Sequence, residues 1–148
     1  MIIIGCGDLS RKLISHFDFF KKNVVFFDQF FSSKSFYGYD VINDIEHLVS
    51  SYANEKFVCC ISNNSVRERL VTNFEKNGFK LDVLIHPSCL VDTSSIISPG
   101  VILFPNVVVE YESIIGKAAI VDYGSVLDHG ALIDPYDYLY PLTYIRKD

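Results

Sequence analysis

The stretch SVLDHGALI, residues 125–133, places one imidazole, His129, directly after a carboxylate, Asp128, among aliphatic residues that follow neither helical nor strand spacing. A neutral imidazole takes up a proton near physiological pH, so the pair offers general-base chemistry. A histidine that only hydrogen-bonds across a subunit interface fits the same residues, and position alone does not separate the two. Near the other end, GCGDLS carries Gly5 and Gly7 in a loop after the first apolar run. The third glycine of a dinucleotide fingerprint is absent, and Asp8 puts negative charge where a phosphate would approach, so the loop reads equally as a plain strand-to-helix turn. Four cysteines, Cys6, Cys59, Cys60 and Cys89, show neither C-x-x-C spacing nor a partner-histidine pattern. They are expected to be reduced, mostly buried thiols, with no metal site.

The elements that must position these groups follow two rhythms. From Met1 to about Leu84, short apolar runs alternate with amphipathic ones, the pattern of βαβ units around a parallel sheet. Strands are predicted over 2–4, 23–27, 57–61 and 81–85, each rich in β-branched or aromatic residues. One helix between them carries Leu9, Leu13, Phe17 and Phe20 on one face; a second carries Ile45, Leu48, Val49 and Tyr52. In a third, Ser65 and Glu68 form a capping box, Val66, Leu70 and Phe74 the buried stripe, and Gly78 the stop. Lys21 and Lys22 fit a solvated helix end.

Beyond IHPSCL the period becomes six. Val91, Ile97, Leu103, Val109, Ile115, Val121, Leu127, Ile133, Leu139 and Ile145 are all aliphatic, and the residue four further on is small except at Asp137. A triangular coil explains this: each six-residue side turns one aliphatic residue inward and a small one into the corner. Gly100, Asn106, Gly124 and Gly130, three after an aliphatic, suit a corner with positive φ. The sequence therefore predicts an α/β Rossmann-like domain over 1–84, followed over 85–148 by a short left-handed parallel β-helix of about three coils. His129 falls at a corner and points outward, stacked one coil above Tyr111 and two above Thr93. The exposed flanks of such a prism favour self-association, with threefold symmetry the natural match.

With 13 Lys and Arg against 18 Asp and Glu, the net charge of −5 argues against nucleic acid as a partner. Apolar runs such as NVVFFD and KFVCCIS fall well short of the ~20 residues that span a bilayer, so no membrane insertion is expected. MIIIG shows no export-signal pattern, which points to the cytoplasm.

The order of IIIGCGDLSRKLI, VVFFDQ, CISNNSVRERL, LIHPSCLV, the hexads and GSVLDHGALI resembles the bacterial nucleotide-sugar acetyltransferases, which include the UDP-4-amino-sugar N-acetyltransferases and the sialic acid O-acetyltransferases. The resemblance implies an enzyme of surface glycan biosynthesis whose co-substrate is acetyl-CoA and whose acceptor is an amino or hydroxyl group of a nucleotide-linked sugar. It implies a homotrimer with the acyl donor between neighbouring β-helices. Gly5 and Gly7 match the loop glycines that let backbone amides approach the nucleotide; Asp28 matches the acid that contacts its base or sugar; Asn64 and Arg67 match the segment facing the same ligand. His129 matches the general base. The family places its acid directly after this histidine, whereas here that position is Gly130 and the acid is Asp128. Gly130 and Lys147, the latter one turn after His129, fall where the acyl donor and its oxyanion are held. Tyr138 and Tyr144 stand where earlier hexads are aliphatic, which predicts a cap and a donor cleft that is shallow or borrowed from a neighbour. A second reading, a catalytically silent trimeric module that binds a nucleotide sugar or a partner enzyme, is open on the same residues.

Overall fold

Three consecutive isoleucines open the chain. In the computed structural model, which describes residues 1–19 and 23–147, they form β1 (Ile2–Ile4), an inner strand of the first sheet. β1 pairs in parallel with β2 (Val25–Phe27) on one side and with β5 (Lys56–Cys59) on the other. With β3 (Ser35–Phe36), β4 (Tyr39–Ile42) and β6 (Lys80–Leu81) they make a six-stranded sheet of order β3-β4-β2-β1-β5-β6, antiparallel only at β3-β4. Alternate residues of each strand feed opposite faces. Ile3, Phe26 and Val58 pack with Leu13, Phe17 and Phe19 around α1 (Asp8–His16). Ile2, Ile4, Phe27 and Phe57 pack with Leu48 of α2 (Ile45–Tyr52) and with Val71 and Phe74 of α3 (Asn64–Lys76).

Several sequence expectations shift here. The run 81–85 does not form one strand: Lys80–Leu81 ends the first sheet, Asp82 turns the chain, and Leu84–Ile85 begins the next architecture. The β3-β4 pair was not predicted, because SFYGYDVI holds its turn at Tyr37 and Gly38, both at positive φ, inside a stretch without strand-length alternation. α3 is capped by Asn63, whose side chain accepts the Val66 N–H at 3.0 Å, so Ser65 lies within the helix and no Ser65–Glu68 box forms. Its buried stripe is Arg67, Val71 and Phe74, one position round from Val66 and Leu70. Phe20, Lys21 and Lys22 lie outside the described residues.

Among the described residues, eleven two-residue strands then recur every six positions. They stack in three parallel sheets. The first holds β7 (Leu84–Ile85), β10 (Ile102–Leu103), β13 (Ile120–Val121) and β16 (Tyr138–Leu139). The second holds β8 (Leu90–Val91), β11 (Val108–Val109), β14 (Val126–Leu127) and β17 (Tyr144–Ile145). The third holds β9 (Ile96–Ile97), β12 (Ile114–Ile115) and β15 (Leu132–Ile133). Partners lie 18 residues apart, as in Ile102↔Ile120, which is the register of a short left-handed β-helix. Leu103, Val109, Ile115, Val121, Leu127 and Ile133 fill the interior with the small corner residues Val101, Val107, Ala119 and Ala131. Where the corner residue is Ser113 or Ser125, its hydroxyl donates to a carbonyl of the coil above, Asp128 O or Tyr140 O, each at 3.1 Å. A left-handed residue recurs at Gly100, Asn106, Glu112, Ala118, Gly124, Gly130, Tyr136 and Leu142, with φ between 53° and 84°. Four of these are neither glycine nor asparagine, so ladder and core hold the corner against a local preference of about 1–2 kcal/mol per residue. Tyr138 and Tyr144 form no cap: they pair with Ile120 and Val126 as further rungs.

The α/β module packs on the first of these sheets, where Leu84, Ile102, Phe104 and Ile120 join the cluster around Phe17 and Phe19. Lys12 of α1 adds a partly buried ion pair, its Nζ 2.5 and 2.6 Å from the two oxygens of fully buried Asp122, which also accepts from Tyr138 Oη at 2.7 Å. His86 ties the junction through Ser88 Oγ at 2.7 Å and the His16 carbonyl at 2.9 Å. The other two prism faces expose Leu90, Ile96, Ile114, Leu132 and Tyr144. Among the described residues no helix is long and apolar enough to cross a membrane.

Candidate functional site

His129 sits on the prism edge between the two exposed sheets, opposite the sheet that carries the module. The hexad geometry puts it at a corner with its side chain 53% exposed. Its Nδ1 lies 3.0 Å from Asp128 Oδ1, which also accepts the His129 backbone N–H at 2.8 Å. The Asp128 carboxyl is held down at about 2, first by a hydrogen bond from Tyr144 Oη at 2.7 Å and then by His129. An ionised carboxylate only accepts, so Nδ1 carries a proton towards it and Nε2 is the ring nitrogen directed away from Asp128. The Tyr111 ring stacks on the imidazole, centroids 5.3 Å apart and planes 19° apart, the pairing expected from their 18-residue spacing. Asp128 therefore meets the ring although it precedes the histidine, because the corner turns its side chain back along the edge.

Gly130 follows at φ 66°, its N–H donated to the Tyr111 carbonyl at 2.9 Å. A Cβ there would lie 2.9 Å from Lys147 Cδ and 3.6 Å from Lys147 Nζ. The Lys147 side chain is thus folded across Gly130, one coil above and beside the histidine.

The module presents its own concavity at the carboxyl ends of β1, β2 and β5, where open α/β sheets take ligands. A cleft of about 660 Å³ is bounded by Gly5, Asp28, Phe30, Val66, Leu70, Arg69 and Lys76. Val66 and Leu70, expected in the core, are instead half-buried in its wall, and Phe30 stands 87% exposed at its rim. Gly5 has φ 104°, a conformation L residues rarely adopt, and a Cβ on it would lie 3.1 Å from the Cys60 carbonyl oxygen, so the backbone here favours glycine. Gly7 precedes α1 with open space around it. Asp28 accepts the N–H of Cys6 at 3.0 Å and of Phe30 at 3.0 Å, pinning the loop after β1 to the turn after β2. Asn64 and Arg67 do not face this cleft. Arg67 is fully buried and donates to carbonyls of Ile61, Ser62, Ala118 and Tyr136, while Asn64 contacts Arg67 and Asp137. Both belong to the seam between module and prism. Sequence reading missed Arg69, Lys76 and Phe30, which carry no motif, and the role of Tyr144, whose one signal is that it and Tyr138 are aromatic where the earlier strands are aliphatic. Among the described residues no group of His, Cys, Asp and Glu could hold a metal ion.

A Rossmann-like module followed by a hexapeptide-repeat β-helix with an acid-supported histidine on a free edge defines the class of protein. Residues 1–74 match the family described as the PglD N-terminal domain, and the chain belongs to that family. A sequence comparison with curated proteins gives no significant match. Among solved structures the chain is similar to a histidine-to-alanine mutant of GDP-perosamine N-acetyl transferase from Caulobacter crescentus in complex with CoA and GDP-perosamine. That likeness has a TM-score of 0.87 at 25% identity, over 97% of this chain and 69% of that one. It is also similar to the acetyltransferase domain of PglB from Neisseria gonorrhoeae FA1090 in complex with acetyl coenzyme A, with a TM-score of 0.70 at 27% identity, over 93% and 68% of the two chains. The fold is shared with WeeI from Acinetobacter baumannii AYE, TM-score 0.87 at 20% identity, over 98% and 71%.

Proposed function

We propose that this protein transfers the acetyl group of acetyl-CoA to the amine of a nucleotide-linked amino sugar, for glycan assembly. The observation that carries the reading is the His129 ring on an exposed prism edge, Nδ1 held by an ionised Asp128 and Nε2 without a hydrogen-bond partner among the described residues. The PglD-family module supports it, as do the GDP-perosamine N-acetyl transferase and PglB acetyltransferase-domain relatives. Nε2 takes a proton from the sugar amine as its nitrogen attacks the thioester carbonyl. The tetrahedral oxyanion then collapses, the C–S bond breaks, and the CoA thiolate leaves with a proton from the imidazolium. A general base of this kind contributes ~10²–10⁴-fold in rate. Gly130 leaves room for the Lys147 side chain, whose ammonium supplies a cation close to where negative charge develops. The module cleft beside Gly5 and Asp28 holds the nucleotide, its rim aromatic Phe30 and the cations Arg69 and Lys76 suited to base and phosphates, while Gly7 lines a separate hollow with Cys6, Asp8 and Arg11.

His129 lies on the edge away from the sheet that packs on the module, so the acceptor held by the module is presented to the histidine of another copy. The two exposed apolar faces that flank His129, with Leu90, Ile96, Ile114 and Leu132 outward, are suited to that contact, and a threefold assembly matches the prism. The protein works in the cytoplasm, where acetyl-CoA and nucleotide sugars are made.

The test follows thiol release from acetyl-CoA with a panel of UDP-, dTDP- and GDP-linked amino sugars, alongside their hydroxy counterparts. Turnover with an amino sugar, lost by ~10²–10⁴-fold in His129→Ala with the fold intact, is the expected result. Turnover only with the hydroxy sugars makes it an O-acetyltransferase. No turnover with any acceptor overturns the reading in favour of a silent nucleotide-sugar-binding module.

A further inference from the structure

An aspartate on an exposed corner is a poor anchor for a catalytic ring, because its carboxylate turns freely about its side-chain bonds. Asp128 does not have that freedom. Oδ1 accepts two donors of His129, the backbone N–H at 2.8 Å and Nδ1 at 3.0 Å, while Oδ2 accepts Tyr144 Oη at 2.7 Å. Tyr144 comes from the next coil, stacked in register on Val126, so the backbone ladder fixes its Cα one rung above and the bond to Asp128 sets where its hydroxyl lies. The remaining freedom, rotation of the imidazole about its own axis, is limited by the Tyr111 ring lying nearly parallel 5.3 Å away.

We propose that Tyr144 is a positioning residue which, through Asp128, fixes His129 in the Nδ1–H tautomer with Nε2 directed outward, and that Tyr111 holds the plane of the ring. The inference rests on His129 being the general base. During transfer Nε2 gains the acceptor's proton and the imidazolium keeps its Nδ1–H bond to Asp128. Asp128 stays ionised and Tyr144 keeps its proton throughout. The Nε2 proton then passes to the departing thiolate. Neither Tyr144 nor Tyr111 exchanges a proton with substrate. The arrangement replaces an acid following the histidine, a place occupied here by Gly130, with one preceding it that a tyrosine from the neighbouring coil holds still.

Tyr144→Phe removes one oxygen from a side chain that is 59% exposed, so the coil should fold unchanged. The ring nitrogens of His129 are read by ¹⁵N NMR on the free protein, at alkaline pH, in the wild type, Tyr144→Phe and Asp128→Asn. The wild type should show predominantly Nδ1–H, Tyr144→Phe a mixed population, and Asp128→Asn a larger share of Nε2–H. With a turned-over acceptor, Tyr144→Phe should lower kcat by about tenfold, the scale of one net hydrogen bond, and leave KM unchanged. A tautomer population unaltered in Tyr144→Phe overturns the proposal, and so does an effect confined to KM, which would make Tyr144 a substrate contact. A shifted tautomer in a protein that turns over no acceptor supports the positioning and defeats the general-base reading separately.

Discussion

The guanidinium of Arg67, on α3, donates Nε–H to the carbonyl of Ala118, on a prism corner, across 2.9 Å, and Arg67 has no solvent-exposed surface. Its other nitrogens reach carbonyls of Ile61, Ser62 and Tyr136, so one side chain satisfies acceptors on both sides of the seam. Burial pulls its pKa down, while nearby groups including Cys59, Cys60 and Asp137 pull it back up. Arg67→Leu strands several buried carbonyls and should destabilise the fold by about 3 kcal/mol. Arg67→Lys should recover only part, since a compact ammonium cannot span the same acceptors. Urea unfolding midpoints check this; a midpoint unchanged in Arg67→Leu contradicts it.

The two loop glycines should respond differently to the same substitution. Gly5→Ala meets Ile61 at 2.5 Å and the Cys60 carbonyl at 3.1 Å with φ at 104°, so it should cost about 2 kcal/mol or more of stability. Gly7→Ala meets nothing within 4 Å at φ −96° and should shift stability by less than about 1 kcal/mol. Because Gly7 lies off the cleft, in a hollow with Cys6, Asp8 and Arg11, its alanine variant should also leave nucleotide-sugar binding, measured by calorimetry, unchanged. Equal thermal shifts in the two variants contradict the assignment.

Acid should act on the histidine edge through Asp128. Its carboxyl is lowered from 3.8 to about 2, chiefly by Tyr144 and then by His129. A depressed carboxyl stabilises the folded arrangement fully above its unfolded value, and that contribution is lost as pH falls from about 4 towards 2. An NMR titration should place the Asp128 midpoint near 2 and move it upward in Tyr144→Phe. A wild-type midpoint at the ordinary value contradicts the contact.

Glu112 occupies a left-handed corner at φ 58° with an exposed side chain. Glu112→Asn keeps the backbone bond from its N–H to Ser94 Oγ, 3.0 Å, and removes part of the local strain. Stability should rise by about 1 kcal/mol, read as a higher Tm; a lower Tm contradicts the strain argument.

The prism was legible because every sixth residue must fill one narrow interior, which leaves no freedom in residue type from Val91 to Ile145. His129 and its Tyr111 partner followed from the same count of 18. The α3 stripe was misread by one position because a buried arginine carries no apolar signal. Its acceptors, Ala118 and Tyr136, lie 51 and 69 residues away in sequence. Non-local satisfaction of this kind leaves no periodic trace. The same holds for Lys12 and Asp122, which local patterning reads as surface charges although Asp122 is fully buried. Tyr144 was visible as an anomaly, but only coordinates relate its hydroxyl to Asp128.

The 18-residue register makes the β-helix a screw whose thread advances about 4.8 Å per turn. Adding or deleting one complete thread below His129 would slide the imidazole along the axis while it keeps facing the same compass direction. An indel of six would swing it through a third of a revolution, onto an edge bordering the face that the α/β module covers. Insertions in this stretch are thereby quantised, and only whole threads leave the imidazole pointing toward a neighbouring copy.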